Sequence, residues 1–209
     1  MEHTFFFENI NIVPPREQIL RRLGYKKGKT HISPAQIKDI DLSIENALIE
    51  IQLQGAASRI PILRKMESET VLSSGQTFTS AQIAVLLARS DAILLIGATA
   101  GPKIVEKIAQ DSARNQLTQA VVLDAVASEM TDAALDWIIR YCNHEFSREN
   151  KRLTKSRFSA GYGDFPLENQ KWIYDALMLH RLGIRLSENF MLIPEKSVTA
   201  LLGVEKVVV

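Results

Sequence analysis

The chain has 209 residues, a net charge of +1, 46% hydrophobic and 23% charged residues, and one cysteine. That length allows a sizeable core, the near-zero charge excludes a global field that recruits nucleic acid or an anionic membrane, and a single thiol excludes an intramolecular disulfide. The lone Cys142, the lack of a secretory pattern over residues 1–7 and the absence of any membrane-length apolar run are what a cytoplasmic protein is expected to show.

Residues 5–13 mix aromatic and β-branched side chains and predict a strand, stopped by Pro14-Pro15. A helix over 16–23 follows, with Gly24 at its left-handed cap position. The loop 25–31 carries Lys26, Lys27, Lys29 and His31 and reads as a solvated loop, with an anion patch as the alternative. Ser33-Pro34-Ala35-Gln36 is a capping box, and Ile37, Ile40, Ile44, Ala47, Leu48 and Ile51 recur at helical spacing over about five turns. Gly55 is expected to end that helix. Residues 58–65 predict a strand that Pro61 makes an edge or irregular one. After a turn at 73–75, Thr79-Ser80-Ala81-Gln82 opens a short helix with Ile83, Leu86 and Leu87 on one face.

Residues 91–97 are continuously apolar and predict a central buried strand. The turn Gly97-Ala98-Thr99-Ala100-Gly101-Pro102 precedes a helix through Ile104, Val105, Ile108 and Ala109. Such a turn can offer free N–H groups to an anion. It lacks both the Gly-x-Gly-x-x-Gly spacing and a Gly-Lys-Ser/Thr ending, so a tight crossover is the expectation. The longest helical pattern covers 117–146. Cys142 and His144 near its end lack further ligands at metal spacing and read as a buried thiol and a helix-terminal histidine. Residues 150–156 are polar and break the helix.

Next comes Arg157-Phe158-Ser159-Ala160-Gly161-Tyr162-Gly163-Asp164-Phe165-Pro166. It combines a guanidinium suited to a carboxylate, glycines that admit close backbone approach, and an aromatic hydroxyl. The competing reading is a surface loop capping a helix. Pro166 is expected in the first turn of a helix over 167–182, with Asp164 as its cap and Gly183 as its stop. A strand over 184–193, broken near Ser187-Glu188-Asn189, a turn at 194–196 and a strand over 197–204 complete the chain. One domain over 1–209 is expected, its functional half being 116–209.

Three ordered segments carry a family resemblance: Arg157-x-x-x-Gly161-Tyr162-x-x-x-Pro166, the helix end Leu182-Gly183-Ile184, and Leu186-Ser187-Glu188-Asn189-Phe190-Met191-Leu192-Ile193-Pro194-Glu195-Lys196-Ser197-Val198. Together, over residues 147–204, they resemble the activation domain of cobalamin-dependent methionine synthase, and more closely its stand-alone bacterial versions. Ile19-Leu20-Arg21-Arg22-Leu23-Gly24-Tyr25 is similar to the stand-alone group.

The resemblance implies an α+β fold, a bent and mainly antiparallel sheet flanked by helices, rather than a Rossmann fold. It also implies S-adenosylmethionine as ligand and a cobalamin-binding methionine synthase as partner, with a flavodoxin-like or other low-potential electron donor. Methyl transfer to the partner's reduced cobalamin then restores methylcobalamin. The matching positions assign Arg157 to the ligand carboxylate, the backbone of Ser159 and Gly161 to close approach, and Tyr162 to the ligand by its ring or hydroxyl. For the ligand's ammonium or ribose, Glu188, Glu145 and Glu149 are the candidates, with Glu188 alternatively stabilising the sheet. The chain departs from the family pattern at Phe158 and Ala160, where prolines often stand. That predicts a looser loop, at roughly 1 kcal/mol of ordering entropy per freed residue. There is also no counterpart of the family's Trp-Thr-Pro-like N-terminal segment, which supplies a carboxylate.

An accessory binding component without a self-contained active site is therefore the leading expectation. The alternatives are a factor serving another corrinoid-dependent methyltransferase, a free-standing enzyme and a structural protein. The four histidines show no nucleophile–base pattern with Cys142 or a serine, and no basic stripe points to nucleic acid.

Overall fold

The computed structural model describes residues 4–26, 28–31 and 33–207. Lys27 of the basic loop and residues 1–3 of the expected non-secretory start lie outside them. In chain order the elements are β1 (Thr4–Phe7), α1 (Arg16–Arg22), α2 (Pro34–Glu50), β2 (Gln54–Lys65), β3 (Glu69–Leu72), β4 (Thr77–Thr79), α3 (Ala81–Leu86) and β5 (Ser90–Thr99). There follow α4 (Pro102–Ala113), α5 (Leu117–Ser147), β6 (Lys151–Leu153), α6 (Asn169–Ala176), a 3-10 turn (Leu179–Leu182), β7 (Arg185–Leu186), β8 (Leu192–Ile193) and β9 (Ser197–Lys206).

The strands form an open sheet in the order β4-β3-β2-β5-β9-β6, with β1 added beside β2 and every pairing antiparallel. Side-chain alternation sorts the apolar residues onto two faces. Ala92, Leu94, Ile96 and Ala98 of β5, with Ala200, Leu202 and Val204 of β9, pack toward α1, α2, α4 and α5. Ile93, Leu95 and Leu201 pack with Ile83, Phe165, Ile173 and Leu177 on the other face. The continuous apolar run of β5 is thus explained by burial on both sides. The 31-residue α5 spans about 46 Å. Its buried alanines at 120, 125, 127 and 134 let it lie close on its neighbours.

The starts of α2 and α3 agree with the sequence, whereas α6 begins at Asn169, after the Pro166 turn expected to open it. Ser33 accepts from the Gln36 amide while Gln36 reaches back to the Ser33 amide. The second cap falls on Ser80, one residue after Thr79, because Ser80 Oγ accepts from the Ile83 amide. Gly55 does not end α2; the helix stops at Ile51, and Gly55 lies within β2, opposite Ala98. The first strand stops at Phe7, since its partner β2 begins at Gln54 and pairs only back to Gly55.

Pro61 sits inside a strand that has neighbours on both sides, yet it does face a local edge. β1 covers β2 at residues 55–58 and β3 covers it from Ile62. The Pro61 carbonyl accepts from Ser73 on that same side, so its missing N–H falls in the gap between the two partners. The helix expected over 167–182 is instead α6 and a 3-10 turn, divided at Met178, which adopts φ +49°. The strand expected over 184–193 is the short hairpin β7–β8. Strands β4 and β6 carried too few residues to signal themselves; both are three residues long and exist by pairing.

Candidate functional site at the open edge of β9

Beyond β5, the outer edge of β9 is covered at residues 204–206 by β6 and at Leu201 by a single bridge to Phe158. Ser197 to Thr199 are left at an open edge. Residues 197, 199 and 201 turn their backbone groups outward, as the Ser159 hydroxyl shows by donating to the Thr199 carbonyl at 2.7 Å. A cleft of about 580 Å³ lies along this edge. Its walls are the segment 157–162, the start of α6, the β7–β8 hairpin and the middle of α5.

Arg157, Ser159 and Tyr162 all line the cleft, so the expected residues do converge. Gly161 (φ +88°) makes the turn between Ala160, which is buried, and Tyr162, which is 69% exposed over the opening. Arg157 does not stand free. Its guanidinium donates to Asp136 at 2.6 Å and to Asp132 at 3.2 Å, both on α5. Asp132 lies within 3.9 Å of Arg22, which bonds Glu129 at 2.6 Å, so an alternating chain of charges runs along α5. Burial pushes the Asp132 carboxyl up, against the downward pull of Arg157. Glu195 also faces the cleft. The charged lining is therefore one cation, Arg157, against Asp132 and Glu195, with Asp136 behind.

The three carboxylates expected from the sequence lie elsewhere. Glu188 is exposed in the turn between β7 and β8 and is not among the lining residues. Glu145 and Glu149 line a second, larger cleft of about 910 Å³, beyond the other end of the sheet face. The charges there answer one another: Arg59 pairs with Glu149 at 2.7 Å, Lys151 with Asp91 at 3.1 Å, and Glu145 with Arg148 at 3.2 Å. Cys142 borders that cleft too, and burial pushes its thiol up to about 12, the behaviour of an inert core residue. Although it is the smaller, the β9-edge cleft is the one that gathers Arg157, Ser159 and Tyr162. Asp132 and Glu195 are the acids that the sequence reading missed. Asp132 recurs four residues before Asp136 on one helix face, but only the fold brings it to Arg157, 25 residues on.

Where prolines are absent, at Phe158 and Ala160, the segment is tied by hydrogen bonds to its neighbours. Phe158 exchanges both backbone hydrogen bonds with Leu201, at 2.9 and 2.7 Å. A proline there would remove one of them. Gly161 donates to the Phe165 carbonyl, and Phe165 donates to that of Tyr162. Asp164 does not cap α6. Its carboxylate accepts from Ser80 Oγ at 2.5 Å and from the Ala81 amide at 2.7 Å, so it clamps the loop to the start of α3. Those donors hold its pKa below the usual carboxylate range. Pairing and a clamp thus tie the segment where prolines do not.

No family model matches the sequence, and no curated protein matches it. Among solved structures the chain is similar to the MetH reactivation domain bound to AdoHcy, with a TM-score of 0.62, 15% identity, and coverage of 93% of this chain and 70% of that one. This likeness bears out the antiparallel, helix-flanked fold that the C-terminal segments implied.

Proposed function

We propose that the chain binds S-adenosylmethionine at the open edge of β9 and serves the reactivation of a cobalamin-dependent methionine synthase, as a stand-alone activation-like domain over residues 1–209. The observation that carries this reading is the cleft itself, where Arg157 and Asp132 stand together beside Tyr162 and a rigid glycine turn. An α-amino acid presents one carboxylate and one ammonium. The first replaces Asp132 on Arg157, the second takes the Asp132 that is released, and no charge is left unpaired. The acid excess in the lining suits a ligand that also carries a sulfonium cation. Tyr162 offers that cation an aromatic face. Glu188, exposed in its hairpin turn, is proposed as a contact only for what docks over the opening.

The ligand supplies an electrophilic methyl group, and the acceptor is a cobalamin held by a partner protein after reduction by a flavodoxin-like or other low-potential donor. This chain's part is to bind and orient. Open exposure of Tyr162 leaves the ligand reachable from outside. Among the described residues no helix is long and apolar enough to cross a membrane, and a cytoplasmic setting is part of the proposal.

Isothermal titration with S-adenosylmethionine tests the site. The Arg157→Ala chain should bind at least about tenfold more weakly, while its Tm changes little, because the pairs it breaks are half-exposed. Equal affinity in the two chains would remove Arg157 from the site.

A further inference from the structure

Four buried side-chain polar atoms have no hydrogen-bond partner among the described residues: Thr70 Oγ1, Ser90 Oγ, Asp111 Oδ2 and Gln170 Nε2. Gln170 alone among their residues lines either of the two clefts, and it lies in the one at the β9 edge. It is 5% exposed, at the second position of α6. Its Oε1 accepts from Thr199 Oγ1 at 2.9 Å. Thr199 stands in the β9 ladder opposite Gly97, and its hydroxyl engages the Oε1 end of the amide. Both N–H groups of Nε2 are left unanswered.

A partnerless buried amide is a rare arrangement in a folded protein. Packing does not call for it, since a methionine fills similar space with no polar group to satisfy. The position also matters. Arg157 and Asp132 close the cleft on the α5 side of β9. Gln170, Thr199 and Leu167 close it on the α6 side, next to the small Ala160. A ligand held by its charged end on the first side lays its other end on the second. Phe158, Ala160 and Leu167 there offer an apolar wall to a flat ring, and the buried Gln170 amide stands at that wall.

We propose that Gln170 is a specificity-determining residue of this cleft, donating from Nε2 to an acceptor nitrogen of the ligand's purine ring. The inference rests on the S-adenosyl reading of the site and adds the group that reads the base.

The experiment is isothermal titration of the full chain and its Gln170→Met variant with S-adenosylhomocysteine, alongside thermal melts of both without ligand. The variant should bind about ten to a hundredfold more weakly, with the melts confirming that it is folded, since it loses the acceptor of Thr199 Oγ1 together with the unanswered donor. A purely structural glutamine would change Tm and leave the affinity of the folded chain unchanged. Replacing single ring nitrogens of the ligand by carbon (the 1-, 3- and 7-deaza analogues) gives a second readout. One analogue should lose affinity for the wild-type chain and lose none for Gln170→Met. Undiminished binding by Gln170→Met, while Arg157→Ala binds weakly, overturns this inference and leaves the site standing. No binding by the wild-type chain overturns the reading of the site, and this inference with it.

Discussion

Two glycine turns lead into helices in this chain, and they have opposite fates. The first was expected over 97–102, but β5 runs on to Thr99, so the turn is only Ala100-Gly101, and Gly101 (φ +83°) lies against Gln52, whose carbonyl oxygen would stand 3.4 Å from an added Cβ. The Gln52 amide donates to Ala100, and Ala100 donates to Lys196. Protein backbone fills the space an anion would need. At 157–166 the backbone is equally ordered, but the segment lies along an uncovered strand edge, and the space beside it stays open. Glycine content does not separate a turn that is packed over from one that stays open. What separates them is whether the next element of the chain returns to cover the turn, as residues 52 and 196 do in the first case.

The comparison breaks most severely at Phe158. A Phe158→Pro substitution removes an N–H that answers the Leu201 carbonyl, and it should cost about 1–3 kcal/mol, seen as a lower Tm, with weakened S-adenosylmethionine binding. If the proline instead stabilises the loop and tightens binding, the rigidity does not come from the bridge to β9.

The two glycines sharpen the contrast directly. Gly101→Ala and Gly161→Ala each force a side chain into the left-handed region, at a cost of roughly 1–2 kcal/mol. Gly101→Ala should lower Tm and leave ligand affinity at the wild-type value. Gly161→Ala should lower both, since Tyr162 and Ser159 flank it. Matching losses of affinity in both variants would mean that the first turn also belongs to the site.

The smallest effect is expected at Asp164. Its folded pKa is depressed by Ser80 and the first amides of α3. The stability it adds is therefore present above its unfolded pKa of about 3.9 and is lost as the pH falls through the lower folded value. Asp164→Asn should melt below wild type at pH 7, and the gap should close as the pH drops below about 4. A gap that stays constant from pH 7 to pH 3 would show that the carboxylate charge does not hold the loop.

How far the sequence could be read follows from how local each determinant is. The start of α2 was legible because Ser33 and Gln36 satisfy one another three residues apart. β5 was legible because burial on both faces leaves no polar position in its middle. The Asp164 clamp was not: its partners, Ser80 and Ala81, lie more than 80 residues away. An Asp just before a proline-started helix looks the same whether it caps that helix or another one. Half of α6's expected length was lost to Met178, whose left-handed backbone no propensity announces.

The sequence by itself determined the starts of α2 and α3 and the buried central strand, and it marked the segment from Arg157 to Tyr162, which lines one cleft. Those depend on residue type and short spacing. Only the tertiary structure decided which carboxylates meet Arg157, that Gln170 lies buried with an unanswered amide, and that the edge of β9 stays open. Each of these depends on which distant elements pack together, and charge or hydrogen-bond complementarity across tens of residues leaves no periodic trace in the chain.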